Sequence, residues 1–400
     1  MGISTYIDKY ETQWKTLGCS RTNYNPCMNK SLNKPTSVDL FCGAGGFTEG
    51  LHAAGFDSVY AADFDEQAIE TFRYNHPAVK AEVANVSALT AEHIRASSGL
   101  GVADLDLLVG GPPCQGFSLA GLRLPHDPKN RLYLEFVRLA AELKPKVVVM
   151  ENVQGIETMS RGAVVRAIHA SMEDIGYNVS SATIIAADYG VPQLRPRFIM
   201  IAVREGSSSL PTPTHARDTL TFETLFNLPT TPTVRQAIED LPAISQGEGA
   251  EEMFHDQPPT DQYQVDRRGS RTPGSIYNHR ATRHSQIVIE RYALIPEGST
   301  NAVVPENLRT KKINVYRLRS DRPSRTVTCN FRTDLLHPWE NRGLTVREAA
   351  RLQSFDDDYK FFGNLTRKAK WLTQDDQVGN AVPPLLAKAI GQHILSKFLS

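Results

Sequence analysis

Three groups of residues in this chain have types and spacing that suit chemistry. Cys114 closes the stretch "DLDLLVGGPPC", in which the apolar run Leu105 to Val109 breaks into Gly110, Gly111, Pro112 and Pro113. That pattern reads as a buried strand ending in a stiff loop, a place where a scaffold fixes a side chain yet leaves it accessible. A thiolate held there is a nucleophile, although the residue alone reads equally well as a small buried packing cysteine. Glu151 and Asn152 follow the apolar run "VVVM". A carboxylate at the carboxyl end of a parallel strand lies on the edge where such sheets bind ligands. In "YGVPQLRPRF", Gln193, Arg195 and Arg197 alternate. Period two puts all three on one face of a strand, suited to gripping an anion or a carboxylate. If Cys114 and Glu151 end neighbouring strands, both can face one small molecule.

A second site is written in "DLFCGAGGFTEG". Gly43, Gly45 and Gly46 fall between a first strand and a first helix, where glycine lets the backbone approach a ligand closely. Asp63 lies about 20 residues on, at the end of the second strand, where an acid can bond a ribose diol. Phe64 beside it can lie against an adenine. A dinucleotide site wants a third glycine where Thr48 stands, so a nucleoside without phosphates fits better, S-adenosylmethionine being the common one. An ordinary tight turn followed by a solvated Asp remains the alternative at this point.

Those residues need a scaffold, and the order of elements supplies one. "SVDLF", "SVYAADF", "LDLLVGG", "KVVVMENV" and "RFIMIAVR" read as strands. Between them "GGFTEGLHAAG", "DEQAIETFRYNH", "RLYLEFVRLAAELK" and "AVVRAIHASMEDIG" read as helices. Alternation of this kind predicts an α/β fold: a doubly wound, mostly parallel, Rossmann-like sheet covered on both faces. After Arg204 the texture changes to Pro, Thr and acidic residues, then to an irregular basic stretch. Its cations are Arg267, Arg268, Arg271, Arg280, Arg283, Arg291, Arg309, Lys311, Lys312, Arg317, Arg319, Arg322 and Arg325. They are expected to form an electrostatic footprint for a polyanion on one face. "LTVREAARLQSF" is expected to be a packed helix with solvated arginines, and "PPLLAKAIGQHILSKFL" a terminal helix with prolines at its start. The expected organisation is a polar extension over 1–36, an α/β domain over 37–203, a smaller loop-rich basic domain over 204–371, and a terminal segment over 372–400.

Bulk properties narrow the class. The 400 residues carry 44 Lys and Arg against 44 Asp and Glu, so no global field advertises a partner. The five cysteines form no CxxC pair and no zinc-like spacing, so free thiols in a reducing cytoplasm and no metal site are expected. The polar start "MGISTYIDKYETQW" does not read as a targeting helix, and no apolar run approaches the roughly 18 residues of a membrane span.

Taken together, "DLFCGAGGF", "GGPPCQGFS", "ENV", "QLRPR", "RGLTVREAARLQSF" and "QVGNAVPP" stand in an order that resembles the DNA (cytosine-5)-methyltransferase family. The resemblance runs from about Ser37 to the C-terminus, interrupted between roughly 205 and 325. It implies Cys114 as nucleophile on cytosine carbon 6, Glu151 as the acid on the ring, and Arg195 and Arg197 orienting the base and Glu151. It implies that Phe41, Gly43, Gly45, Gly46, Asp63, Phe64, Asn85, Val86, Pro113 and Asn380 form the S-adenosyl-L-methionine site. Two positions depart from the usual pattern: Asn85 stands where an acid near the adenine amino group is common, and Asp63 where Glu is more usual. Further implications are a catalytic and cofactor-binding role for 37–203, target recognition by 204–371, and a return of 372–400 to the first domain. Others are double-stranded DNA as substrate, a flipped-out base, a monomer, a cytoplasmic location in contact with the nucleoid, and pairing with a restriction endonuclease, the last by analogy only. The alternatives are a family member acting on transfer RNA, whose short Cys-Phe-Thr signature is missing here, and a non-catalytic nucleoside- or DNA-binding protein on the same fold.

Overall fold

The computed structural model describes residues 34–102, 104–113, 131–217, 228–310, 312, 314–365 and 371–399. Cys114, Lys311 and the extension before residue 34 lie outside the described residues. Eight strands and five helices come first: β1 (Thr36–Leu40), α1 (Gly46–Ala54), β2 (Asp57–Asp63), α2 (Glu66–Asn75), β3 (Lys80–Val83), α3 (Ala91–Ser98), β4 (Leu107–Gly110), α4 (Arg131–Leu143), β5 (Val147–Val153), α5 (Ala163–Asp174), β6 (Asn178–Ile185), β7 (Gln193–Leu194) and β8 (Pro196–Val203). Seven of these strands form one sheet in the order β3-β2-β1-β4-β5-β8-β6.

The fold is the expected mostly parallel Rossmann-like one, with one antiparallel member that alternation alone does not announce. β8 runs antiparallel to both β5 and β6. β6, absent from the expected strands, ends at Ile185 and β8 begins at Pro196. So short a link cannot carry the crossover of a dozen or more residues that a parallel return needs.

Period two along the strands divides the core into two layers. Leu108, Val148, Met150, Met200 and Ala202 point to α3, α4 and α5, where Ile94, Phe136, Leu139, Ile168 and Met172 receive them. Leu107, Val109, Val147, Val149 and Ile201 point the other way, to Phe47 and Leu51 of α1 and to the C-terminal helix. Both faces are covered, which is why these strands are continuously apolar.

The remaining elements are α6 (Val234–Ile238), β9 (Gly249–Phe254), α7 (Gln262–Arg267), β10 (Ser275–Arg280), α8 (Gln286–Ala293), β11 (Tyr316–Arg317), β12 (Ser324–Arg325), α9 (Phe331–Asp334), β13 (Leu335–Leu336), α10 (Val346–Leu352), α11 (Gln374–Asn380) and α12 (Pro384–Phe398). α12 packs against α1 through glycine: a Cβ on Gly50 would lie 2.3 Å from the Pro384 carbonyl oxygen, and one on Gly391 2.8 Å from Ala54 Cβ. A second apolar cluster gathers Val234, Ile238, Ile276, Leu318, Val327, Phe331, Phe355 and Phe361 around Val346, Ala349 and Ala350 of α10.

Here the structure corrects an expectation. The arginines of "REAARLQSF" are not solvated: Arg347 and Arg351 are fully buried. Arg351 grips both oxygens of Asp357 at 2.6 Å and also reaches Asp240. Arg347 donates to the Tyr277, Asp356 and Tyr359 carbonyl oxygens. A guanidinium tolerates burial only when partners occupy its donors, and here they do.

Candidate active site

The binding edge of the sheet is the carboxyl end of β1, β2, β4 and β5. The order reverses between β1 and β4, the topological switch point where doubly wound sheets open a crevice. A cavity of about 1330 Å³ occupies it.

At one end the glycine turn forms the floor. Phe41 and Gly43 take positive φ, 60° and 52°, before Gly45 at 93° caps α1. A bulky residue in the left-handed region is strained, and such strain is tolerated where the surroundings over-determine it. A Cβ on Gly43 would meet nothing within 4 Å, because that side of the backbone faces the cavity. Gly45 faces away: its Cβ would lie 2.8 Å from the Tyr359 hydroxyl and 2.9 Å from His76 Nε2. Of the ten residues expected to hold the cofactor, nine line the cavity and Gly45 does not.

Asp63 holds this end together. Its Oδ2 accepts from the Gly43 N–H and its Oδ1 from the Asp65 N–H, both at 2.9 Å. Each oxygen keeps a lone pair for a ligand hydroxyl, and burial raises the carboxyl above its ordinary value. Phe64 stands beside it with 63 % of its surface exposed on the cavity wall. Asn85 Oδ1 accepts from the Ser87 N–H at 3.1 Å, capping the short turn that follows β3. Asp39 lies beneath the glycine turn with one oxygen accepting from Thr48 Oγ1 at 2.8 Å; burial pushes it up to about 7.

At the other end Glu151 closes the cavity. It is buried, and its Oε1 lies 2.6 Å from Arg197 Nε. Burial raises its carboxyl, while Arg197 and then Arg195 pull it down; burial prevails. The three alternating residues divide their work. Arg197 takes Glu151, whereas Arg195 is wholly buried and donates to the carbonyl oxygens of Val327, Gly379 and Ala381. Gln193 donates to the Leu352 carbonyl and Gln353 and accepts from the Val327 N–H. Arg195 and Gln193 therefore bind the C-terminal motifs to the sheet, and among the four expected catalytic residues only Glu151 and Arg197 line the cavity within the described residues.

Cys114 itself lies outside the described residues, but the stem that leads to it does not. Asn152 Nδ2 donates to the Pro112 carbonyl at 2.9 Å. The residue after Glu151 thus holds the loop two residues before Cys114. In the sequence Asn152 stands out only as the neighbour of Glu151, though an amide at a strand end is a signal that could have prompted this role. Trp371, Leu372 and Asp39 also line the cavity. Nothing in the local pattern of "KAKWLTQ" marks Trp371. Cys42 is buried among Ala61, Ile69 and Phe72 as a packing residue, and it also borders the cavity. Cys329 sits with its Sγ 3.1 Å from Asn380 Oδ1.

The model of the C-5 cytosine-specific DNA methylases matches residues 36–396. The chain belongs to that family. It is 37% identical over 378 residues to the Type II methyltransferase M.DdeI of Desulfomicrobium norvegicum, covering 89% of this chain and 88% of that protein. It is 35% identical to the Type II methyltransferase M1.HphI of Haemophilus parahaemolyticus, covering 90% and 86%. A solved structure described as a DNA modification methyltransferase encoded within an E. coli prophage superposes with a TM-score of 0.73 at 28% identity, over 91% of this chain and 99% of that one. The S. pombe Dnmt2 methyltransferase, at 16% identity and a TM-score of 0.56, shares the fold.

Proposed function

We propose that the protein methylates carbon 5 of cytosine in a specific double-stranded DNA site, as the modification enzyme of a Type II restriction–modification pair. The observation that carries this reading is that one cavity joins Asp63 and Phe64 to the Glu151–Arg197 pair. The residues fit S-adenosyl-L-methionine: an exposed aromatic ring beside an acid, and a glycine whose missing side chain leaves room against the backbone. Asp63 would bond the ribose diol, Phe64 would cover the adenine, and Phe41, Gly43, Gly46, Asn85, Val86, Pro113 and Asn380 would enclose the rest. Bound there, the cofactor supplies the methyl group.

The chain's own residues prepare cytosine to accept it. Cys114 attacks carbon 6 and forms a covalent adduct, making carbon 5 nucleophilic. Glu151, its carboxyl raised by burial, would hydrogen-bond ring nitrogen 3 and share a proton with the base as charge develops there. Arg197 fixes the carboxyl's orientation, and Asn152 fixes the loop stem. Loss of the carbon-5 proton then expels the thiol. A duplex base cannot reach so deep a pocket while stacked, so the cytosine must be flipped out.

The test is trapping. DNA carrying 5-fluorocytosine lacks the proton needed for elimination, so the wild type should remain covalently bound and Cys114→Ala should not. Bisulfite sequencing of DNA exposed to the enzyme should place the methyl group. Trapping that survives Cys114→Ala would move the nucleophile elsewhere and end this reading.

A further inference from the structure

The basic stretch was expected to present its cations to a polyanion together, and the structure sorts them instead. Arg267 pairs with Asp356, Arg268 with Asp240, Arg271 with Glu49 and Asp358, Lys312 with Asp334, and Arg319 with Asp321. Arg291, Arg309 and Arg317 donate to backbone carbonyl oxygens. Among the described residues, the exposed cations of this stretch with neither an acidic partner nor a carbonyl acceptor are Arg280, Arg283, Arg322 and Arg325.

One of these is set apart by two observations. The Arg325 guanidinium lies 3.6 Å from the centroid of the Tyr316 ring. Other arginines also stack on aromatic rings, but Arg235, Arg267 and Arg271 each hold an acid as well. Stacking holds the planar group by its face and leaves its N–H edge open, so little freedom is lost when that edge meets an anion. The second observation is position. β12 runs parallel to β7, with Arg325 opposite Leu194, and Thr326 Oγ1 donates to the Leu194 carbonyl at 3.1 Å. Leu194 is itself 43 % exposed and stands three residues before Arg197, at most about 10 Å of extended chain.

Resting on the function proposed above, we propose that Arg325, stacked on Tyr316, is a preset clamp for a DNA backbone phosphate beside the cytosine pocket. It contacts the backbone, not a base, so it contributes alike to every sequence. It is a binding residue that locates the duplex relative to Glu151, while sequence discrimination lies with other residues.

The test measures duplex binding by the full-length chain as salt is raised, on DNA with and without the methylated site. Each phosphate left without its cation makes the plot of log affinity against log salt shallower by about 0.9. Arg325→Ala should show that change on both duplexes. Arg325→Lys keeps the charge and should keep the wild-type slope with a several-fold weaker affinity. Arg319→Ala, whose guanidinium is already held by Asp321, should leave the slope unchanged. Unaltered S-adenosylmethionine affinity would show that the variants are folded. A wild-type slope in Arg325→Ala would overturn the clamp, as would an equally shallow slope in Arg319→Ala. Failure of the wild type to methylate carbon 5 in the same preparation would instead overturn the function, so the two failures are separate.

Discussion

Replacing Arg197 by methionine asks what holds the carboxyl of Glu151 in place. The two side chains are 9% and 11% exposed with 2.6 Å between nitrogen and oxygen. At an effective dielectric of about 20, unit charges so close attract by roughly 6 kcal/mol before desolvation, which offsets much of it. Removing one partner is another matter, because the other is stranded in a buried position at a cost of about 3–5 kcal/mol. Arg195 cannot swing across to help, since both its terminal nitrogens are held by the Val327, Gly379 and Ala381 carbonyls. Protonation then relieves Glu151.

That relief fixes the sign of the pH dependence. Burial raises the Glu151 carboxyl and Arg197 lowers it, so losing Arg197 raises it further. A carboxyl raised in the folded state favours folding below its unfolded value of about 4.3 and loses that advantage as pH climbs through the folded value. Arg197→Met should therefore lie nearest the wild type at the acid end of the range. The gap should open at up to about 1.4 kcal/mol per pH unit between the wild-type and variant carboxyl values. Urea denaturation at about pH 5 and about pH 8.5 measures it. The double variant Arg197→Met, Glu151→Gln has no charge to strand and should recover at least half of the loss at the higher pH. A gap that does not change with pH, or a double variant no more stable than Arg197→Met, would refute the reasoning.

Two more outcomes are expected at the cofactor end. Asp63→Ala and Phe64→Ala should each weaken S-adenosylmethionine binding by calorimetry about tenfold or more, since a charged-acceptor hydrogen bond is worth about 1.5–3 kcal/mol and the exposed ring loses its stacking role; tight NADH binding by the wild type would overturn the cofactor assignment. Gly45→Ala should destabilise the fold by about 1–3 kcal/mol in chemical denaturation, because the residue takes φ 93° and its new Cβ would press on Tyr359 and His76. A variant as stable as the wild type would show that the turn can rearrange.

Much of this protein is legible along the chain because the signals are local. A glycine turn between an apolar run and a helix, an acid at the next strand end, and a carboxylate after "VVVM" all follow from backbone sterics and period two. The α/β alternation follows from the same periodicities. The antiparallel β8 was not announced, because direction is set by the length of the link from β6, and β6 carries a weak pattern. Composition misled for the charges. Arg347, Arg351 and Arg271 look in sequence like surface cations. Their partners are carbonyl oxygens for Arg347 and acids far off in the chain for the others, as Asp240 is for Arg351 and Glu49 for Arg271. Whether a guanidinium is a buried strut or a hand held out to a phosphate depends on which carboxylates and carbonyls the fold brings to it. Arg195 and Arg197 make the point at closest range: two residues apart in one motif, one is bound to backbone carbonyls and the other to Glu151. The sequence alone determined that both would be present two residues apart, but not that Arg195 would fall in the link between β7 and β8 while Arg197 joins β8. Only the tertiary structure decided their partners, because each partner arrives from a different strand or from the C-terminal motifs, and desolvation makes every such pairing obligatory once the chain has closed around it.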